Sequence, residues 1–156
     1  MTATIFEEFW MARKQAAEAF VRGDGGKLNA LVPHQGSASF HSPRGDTVVG
    51  AQDVALRYSA EAKTFHSNGT THFEAIQRAH AGDLGFWTGF QIAKVQIADA
   101  PQAVEMRIRV TELFGRIDGE WRLIHRHADF AKTSGLTGPG CQVHSTSIDG
   151  DRQMTT

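Results

Sequence analysis

The sequence predicts an α+β domain in which three N-terminal helices are covered by a strongly curved antiparallel sheet, a cone with one internal pocket. Three observations predict it. Apolar residues recur at helical spacing up to Phe65 and at a spacing of two after Asn68-Gly69. The breaks between the later strands are too short for a parallel crossover. The 156 residues match one ordinary domain with a core of useful size.

Helix 1 opens on Thr4-Ile5-Phe6-Glu7, a hydroxyl followed three residues later by a carboxylate, as in a capping box. Ile5, Phe9, Ala12, Ala16 and Phe20 follow at helical spacing, and Gly23 ends the helix. Asp24 to Leu31 reads as a short second helix, stopped by Pro33. Ser37 to Ser42 reads as a strand, Pro43-Arg44-Gly45-Asp46 as a turn, and Thr47 to Val49 as its partner strand. Helix 3 spans about Gln52 to Phe65, with Val54, Tyr58, Ala62 and Phe65 on one face. Four longer strands follow, at about 71–79, 85–97, 103–117 and 120–130. A sheet this long, with helices only before it, must curl over them, and pockets form in the mouths of such cones. Residues 131–156 are polar and rich in Ser, Thr and Gly, and read as a tail or an arm onto a partner subunit.

Composition narrows the function. Net charge is −1 with no long basic run, which argues against a nucleic-acid surface. No apolar run approaches the roughly 20 residues of a membrane span. Met1 to Glu8 carries acids and no basic segment, so a signal peptide is not expected and a cytoplasmic location is the default. The single cysteine, Cys141, allows no internal disulfide and no cysteine-based zinc cage.

The third long strand carries the chemical information. One face reads Val104, Met106, Ile108, Val110, Glu112, Phe114, which is apolar with one exception. A carboxylate on a buried face costs several kcal/mol unless it is paired, hydrogen-bonded or protonated. Desolvation would raise its pKa toward the working range of a general acid or base, so Glu112 is the leading catalytic candidate. Its partner depends on the hairpin at Asp118-Gly119. A two-residue turn sets Glu112 opposite His125, with Trp121, Leu123, His125 and His127 inside. A three-residue loop with a glycine bulge sets it opposite Ile124, with Arg126 diagonal and Ile124, Arg126, Ala128 and Phe130 inside. Composition leaves both open.

The segment RVTELFGRIDGEWRLIHRHADF (Arg109–Phe130) resembles the closing hairpin of the nuclear transport factor 2-like superfamily. Ala19–Val32 and Phe40–Val54 resemble its opening segments. The superfamily holds ketosteroid isomerases, SnoaL-like proteins and scytalone dehydratases. The resemblance is nearest the branch with the association domain of calcium/calmodulin-dependent kinase. It implies the cone fold over about Ile5 to Phe130, a small-molecule ligand and a homodimer through the outer sheet face, and it favours the second register. The base of a ketosteroid isomerase falls at Ser42 and its helix-1 tyrosine at Ala16, so classical steroid isomerisation is not implied. Its protonated acid falls at or near Glu112. The pocket arginines of the association domain fall at Glu112, Gln91 and Ala128, none of which is arginine here.

The expected activity is a cofactor-independent isomerase, cyclase or lyase, with Glu112 as acid/base, Arg126 holding an acidic or carbonyl oxygen and His41 as second acid/base. The competing expectation is a non-catalytic binding or oligomerisation module. Trp87, Gln91, Tyr58 and Ile124 are the expected substrate contacts, with Gly89 leaving room for a ligand. His125 and His127 share a face at a spacing that can hold a metal but lack a third ligand, so they are read as interface residues and no metal or cofactor is expected.

Overall fold

The computed structural model describes residues 5–132. Helix α1 (Phe6–Phe20) begins at Ile5, whose backbone is extended. The predicted Thr4 cap and the tail beyond Lys132 lie outside the described residues. The buried stripe of α1 is Phe6, Phe9, Trp10, Arg13, Ala16 and Ala17. It is rotated from the predicted one, because Ile5 is exposed and Phe6 takes the core position. Helix α2 is a single turn (Gly26–Asn29), shorter than predicted. Strands β1 (Ser39–His41) and β2 (Thr47–Val49) form a small hairpin before α3 (Ala51–Ala62). Helix α3 buries Ala51, Val54, Tyr58 and Ala62.

The long strands are β3 (Thr70–Ala81), β4 (Leu84–Val95), β5 (Val104–Ile117) and β6 (Glu120–Phe130). They form one curved, open six-stranded sheet in the order β2-β1-β6-β5-β4-β3. The long strands pair antiparallel, as the short breaks between them require. Pairing of β1 with β6 is parallel, which corrects the wholly antiparallel expectation. The chain between them, with α3 and four strands, is ample for a crossover.

The β5 face is as predicted from Ile108 on: Ile108, Val110, Glu112 and Phe114 are buried, and Arg109, Thr111 and Leu113 are exposed, whereas Met106 is half-buried and Val104, at the start of the strand, is exposed. Aromatic rings join α1 to this face, with Phe9 against Phe114 at 4.9 Å and Trp10 against Trp87 at 5.4 Å. Burying each such ring contributes about 1.5–3 kcal/mol.

The β5–β6 hairpin follows neither predicted register. Ile117 pairs with Glu120, so the turn has two residues, with positive φ at Asp118 (53°) and Gly119 (83°), as a primed turn needs. That register runs to Phe114↔Leu123 and then slips, so that Leu113 faces His125 and Glu112 faces Arg126. Ile124 is the extra residue of a bulge. Trp121 and Leu123 point inward before it, and Arg126, Ala128 and Phe130 after it. Each predicted face is right for half of the strand.

Candidate functional site

Helix α1, β4, β5 and β6 each deliver one polar side chain to the same point in the core. Glu112 is fully buried, at 0% exposure. Its Oε1 accepts hydrogen bonds from Arg13 Nε (2.9 Å) and Trp87 Nε1 (2.8 Å). Its Oε2 accepts from Arg13 Nη2 (2.7 Å) and Arg126 Nη1 (2.5 Å). The network continues outward. Arg126 Nη2 donates to Gln91 Oε1 (2.6 Å), Gln91 Nε2 to Thr71 Oγ1 (3.1 Å), and Thr71 Oγ1 to the Ile92 carbonyl (3.0 Å).

Burial alone would push the Glu112 carboxyl up. The charges of Arg13 and Arg126, with hydrogen bonds from Arg13 and Trp87, outweigh burial and hold the carboxyl down at about 2. The predicted raised acid is therefore corrected: Glu112 is an ionised anion with both oxygens occupied. The reason lies in α1. Arg13 sits in the middle of an otherwise apolar stripe, the counterpart of Glu112 in the stripe of β5.

Beside this network lies a cavity of about 220 Å³. Arg13, Gln91 and Arg126 border it at one end. Tyr58 also lines it, stacked at 4.8 Å on Phe40, the residue paired with Arg126 in the sheet. Burial pushes the Tyr58 hydroxyl up, so it stays protonated, and it makes no hydrogen bond among the described residues. The remaining wall is apolar and includes Ala17, Phe20, Val95, Met106, Ile108 and Phe130. His41, Ser42, Pro43 and Arg44, from β1 and its turn, border the cavity, as does Glu61, which is held by Arg57 at 2.8 Å.

Tyr58, Gln91, Arg126 and His41 thus border the cavity, whereas three other expected contacts do not. Trp87 is completely buried behind Glu112, stacked on Phe73 at 4.5 Å. Ile124 sits at the bulge and packs toward Gly115, bordering a groove on the opposite face of the sheet. Gly89 leaves room for protein rather than ligand: a Cβ there would collide with the Glu74 carbonyl at the irregularity of β3. Sequence reasoning missed Arg13 and Thr71. An arginine within an apolar helical stripe was the available sign of the first.

His125 and His127 lie on the outer face, joined by His41, whose ring centroid is 5.1 and 4.9 Å from theirs. Ser39 Oγ lies 2.7 Å from His125 Nδ1, and Thr47 Oγ1 lies 2.7 Å from His41 Nδ1. Partial burial, then the charges of His41 and His127, push His125 down. Among the described residues no three side chains form a metal-ligand set. No described helix is long and apolar enough to cross a membrane.

No curated protein matches the chain. Among solved structures, it resembles a nuclear transport factor 2-like superfamily protein of Salmonella enterica at 19% identity and a TM-score of 0.69, over 85% of this chain and 96% of that one. It resembles a provisionally designated dehydratase of the NTF2-like family from Streptomyces avermitilis at 19% identity and a TM-score of 0.66, over 81% and 96%. It resembles the CaMKII hub of S. rosetta at 15% identity and a TM-score of 0.62, over 84% and 100%. At these identities the likeness shows the fold alone. A SnoaL-like domain family matches residues 12–132, nearly the whole described chain. The chain belongs to the SnoaL-like domain family.

Proposed function

We propose that this domain binds a small molecule in the cavity beside Arg13, Gln91 and Arg126, and that Glu112 organises the pocket rather than exchanging protons with the ligand. The carrying observation is the state of Glu112. A carboxylate that accepts four hydrogen bonds and is held at about 2 is a poor base near pH 7 and has no proton to give. Its work is positional: it locks two guanidinium groups at one end of an apolar chamber. Such pockets combine apolar walls with a few placed polar groups.

The alternative is a cofactor-independent isomerase or lyase. It is favoured by the donors of Arg126 and Tyr58, which suit a developing oxyanion. That reading needs a base aimed into the cavity, and the expected one, His41, borders the cavity but holds its ring against His125 and His127 on the outer face. A homodimer through the outer sheet face is supported by the exposed Leu84, Leu113 and Ile117, and light scattering on a sizing column tests it.

The binding reading is tested by titrating the protein with small aromatic compounds while following methyl resonances. Saturable shifts at Met106, inside the cavity, are expected, with none at exposed Ile76. Shifts at Ile76 alone, or none at all, would reject the reading.

A further inference from the structure

Two guanidinium groups share one carboxylate at the end of the cavity, so one positive charge is left over in a largely apolar chamber. Each guanidinium has five N–H donors. Among the described residues, Arg13 uses two, both on Glu112. Arg126 uses two, on Glu112 and Gln91. Arg13 is only 3% exposed, and its Nη1 is buried without a hydrogen-bond partner. A buried donor left unpaired costs about 1–3 kcal/mol, and more in a charged group. Native cores keep such a group for a reason. Glu61, the acid among the residues that border the cavity, is already paired with Arg57 and stands 36% exposed. Arg126 keeps 15% of its side chain accessible, and the Tyr58 hydroxyl is a further donor without a described partner.

Resting on the small-molecule reading above, we infer that the ligand is a small monocarboxylate, aromatic or short-chain, whose carboxylate meets Arg126 and Tyr58 at the cationic end and whose apolar body lies along Phe20, Met106 and Phe130. One negative charge matches the one positive charge in excess at the buried Arg13–Glu112–Arg126 cluster, Arg44, which also borders the cavity, being exposed. A planar carboxylate also suits a guanidinium, which can donate two parallel hydrogen bonds. The volume sets the size. About 220 Å³ lies below the range of drug-sized pockets. A single ring with a one- or two-carbon acid arm is of that order. The walls Phe20 and Tyr58, edge-to-face at 6.2 Å, present ring surface to such a body.

Three probes of one shape separate the possibilities: phenylacetate, neutral phenylacetamide and cationic phenethylamine. Each is titrated into the full chain by calorimetry at pH 7 and low salt. Phenylacetate is expected to bind at least tenfold tighter than the amide, with contacts from its ring protons to the Met106 methyl, and the amine not to bind. Arg126→Gln, which leaves Arg13 and Glu112 as a neutral pair, should remove the preference for the acid. Glu112→Gln, which removes the competing anion, should strengthen it. If the amide binds as well as the acid, the carboxylate assignment is wrong and the cavity reading stands. If none of the three binds, both fall. The comparison on the unsubstituted chain decides the matter even if a variant fails to fold.

Discussion

Acidifying the protein from pH 7 to pH 3 should remove the stability that ionised Glu112 supplies. In an unfolded chain this carboxyl titrates near 4.3, and in the fold it is held at about 2. The sign follows from that order. A depressed acid contributes stability that is fully present above the unfolded value and is lost as pH falls toward the folded one. The gap amounts to about 3 kcal/mol, of which a little over half is gone by pH 3. Glu7 and Asp46 are also held down, by Arg78 and by Ser42 with Arg57 respectively, so the raw pH profile mixes three groups. Subtracting the profile of Glu112→Gln removes the other two. The assay is urea unfolding of both proteins at several pH values, read by tryptophan fluorescence. The difference between them should shrink by about 2 kcal/mol between pH 6 and pH 3. Parallel profiles would mean Glu112 is not depressed. A difference that grows on acidification would mean that burial, not the arginines, decides its state. The carboxyl-carbon NMR shift of Glu112 gives the same answer without a variant.

Three further perturbations probe the scaffold. Arg13→Met should cost about 3 kcal/mol in urea unfolding, the low end for breaking a buried pair because Arg126 still faces Glu112. Removing the exposed Arg109, which pairs with Asp129 on the outer face, should cost less than about 1 kcal/mol by the same measurement. Gly89→Ala should destabilise by about 1–3 kcal/mol, seen as a lowered thermal midpoint, because its Cβ would meet the backbone of β3 rather than a side chain that can move.

The face of β5 was legible because alternation is a local property, and a lone Glu112 among apolar residues announces itself in one strand. Its protonation state was not legible in the same way. Desolvation can be inferred from the strand alone, but the cations that reverse its effect come from elsewhere, Arg13 being 99 residues away in sequence. The arginine had its own local sign, since it interrupts the stripe Phe6, Phe9, Trp10, Ala16, Ala17. Two opposite charges, each alone on an apolar face, are a prediction that they meet. Trp87, Gln91 and Gly89 share one strand face and still have three separate fates: core, cavity and strand contact. Those fates depend on what packs opposite, which alternation does not encode.

The bulge at Ile124 is the feature on which the site depends most and which the sequence shows least. Asp118-Gly119 has the residues for a two-residue turn, and that turn forms. Continued without interruption, its register would bring His125 opposite Glu112 and turn Arg126 to the outer face. One extra residue in β6 restores Arg126 to the inside. Deleting Ile124 should therefore be tolerated. Trp121 and Leu123 would stay inward, and Arg126, Ala128 and Phe130 would follow in unbroken alternation. The expected loss is about 1–2 kcal/mol, from the half-buried isoleucine and the relaxed bend. Deleting His127, an exposed residue, removes as little core but turns Ala128 and Phe130 outward. That variant should lose its cooperative thermal transition, whereas the Ile124 deletion keeps it together with the low-pH behaviour of Glu112. If the two deletions are equally damaging, β6 is not held by the inward placement of Arg126, Ala128 and Phe130, and the bulge has no part in building the cationic end of the cavity.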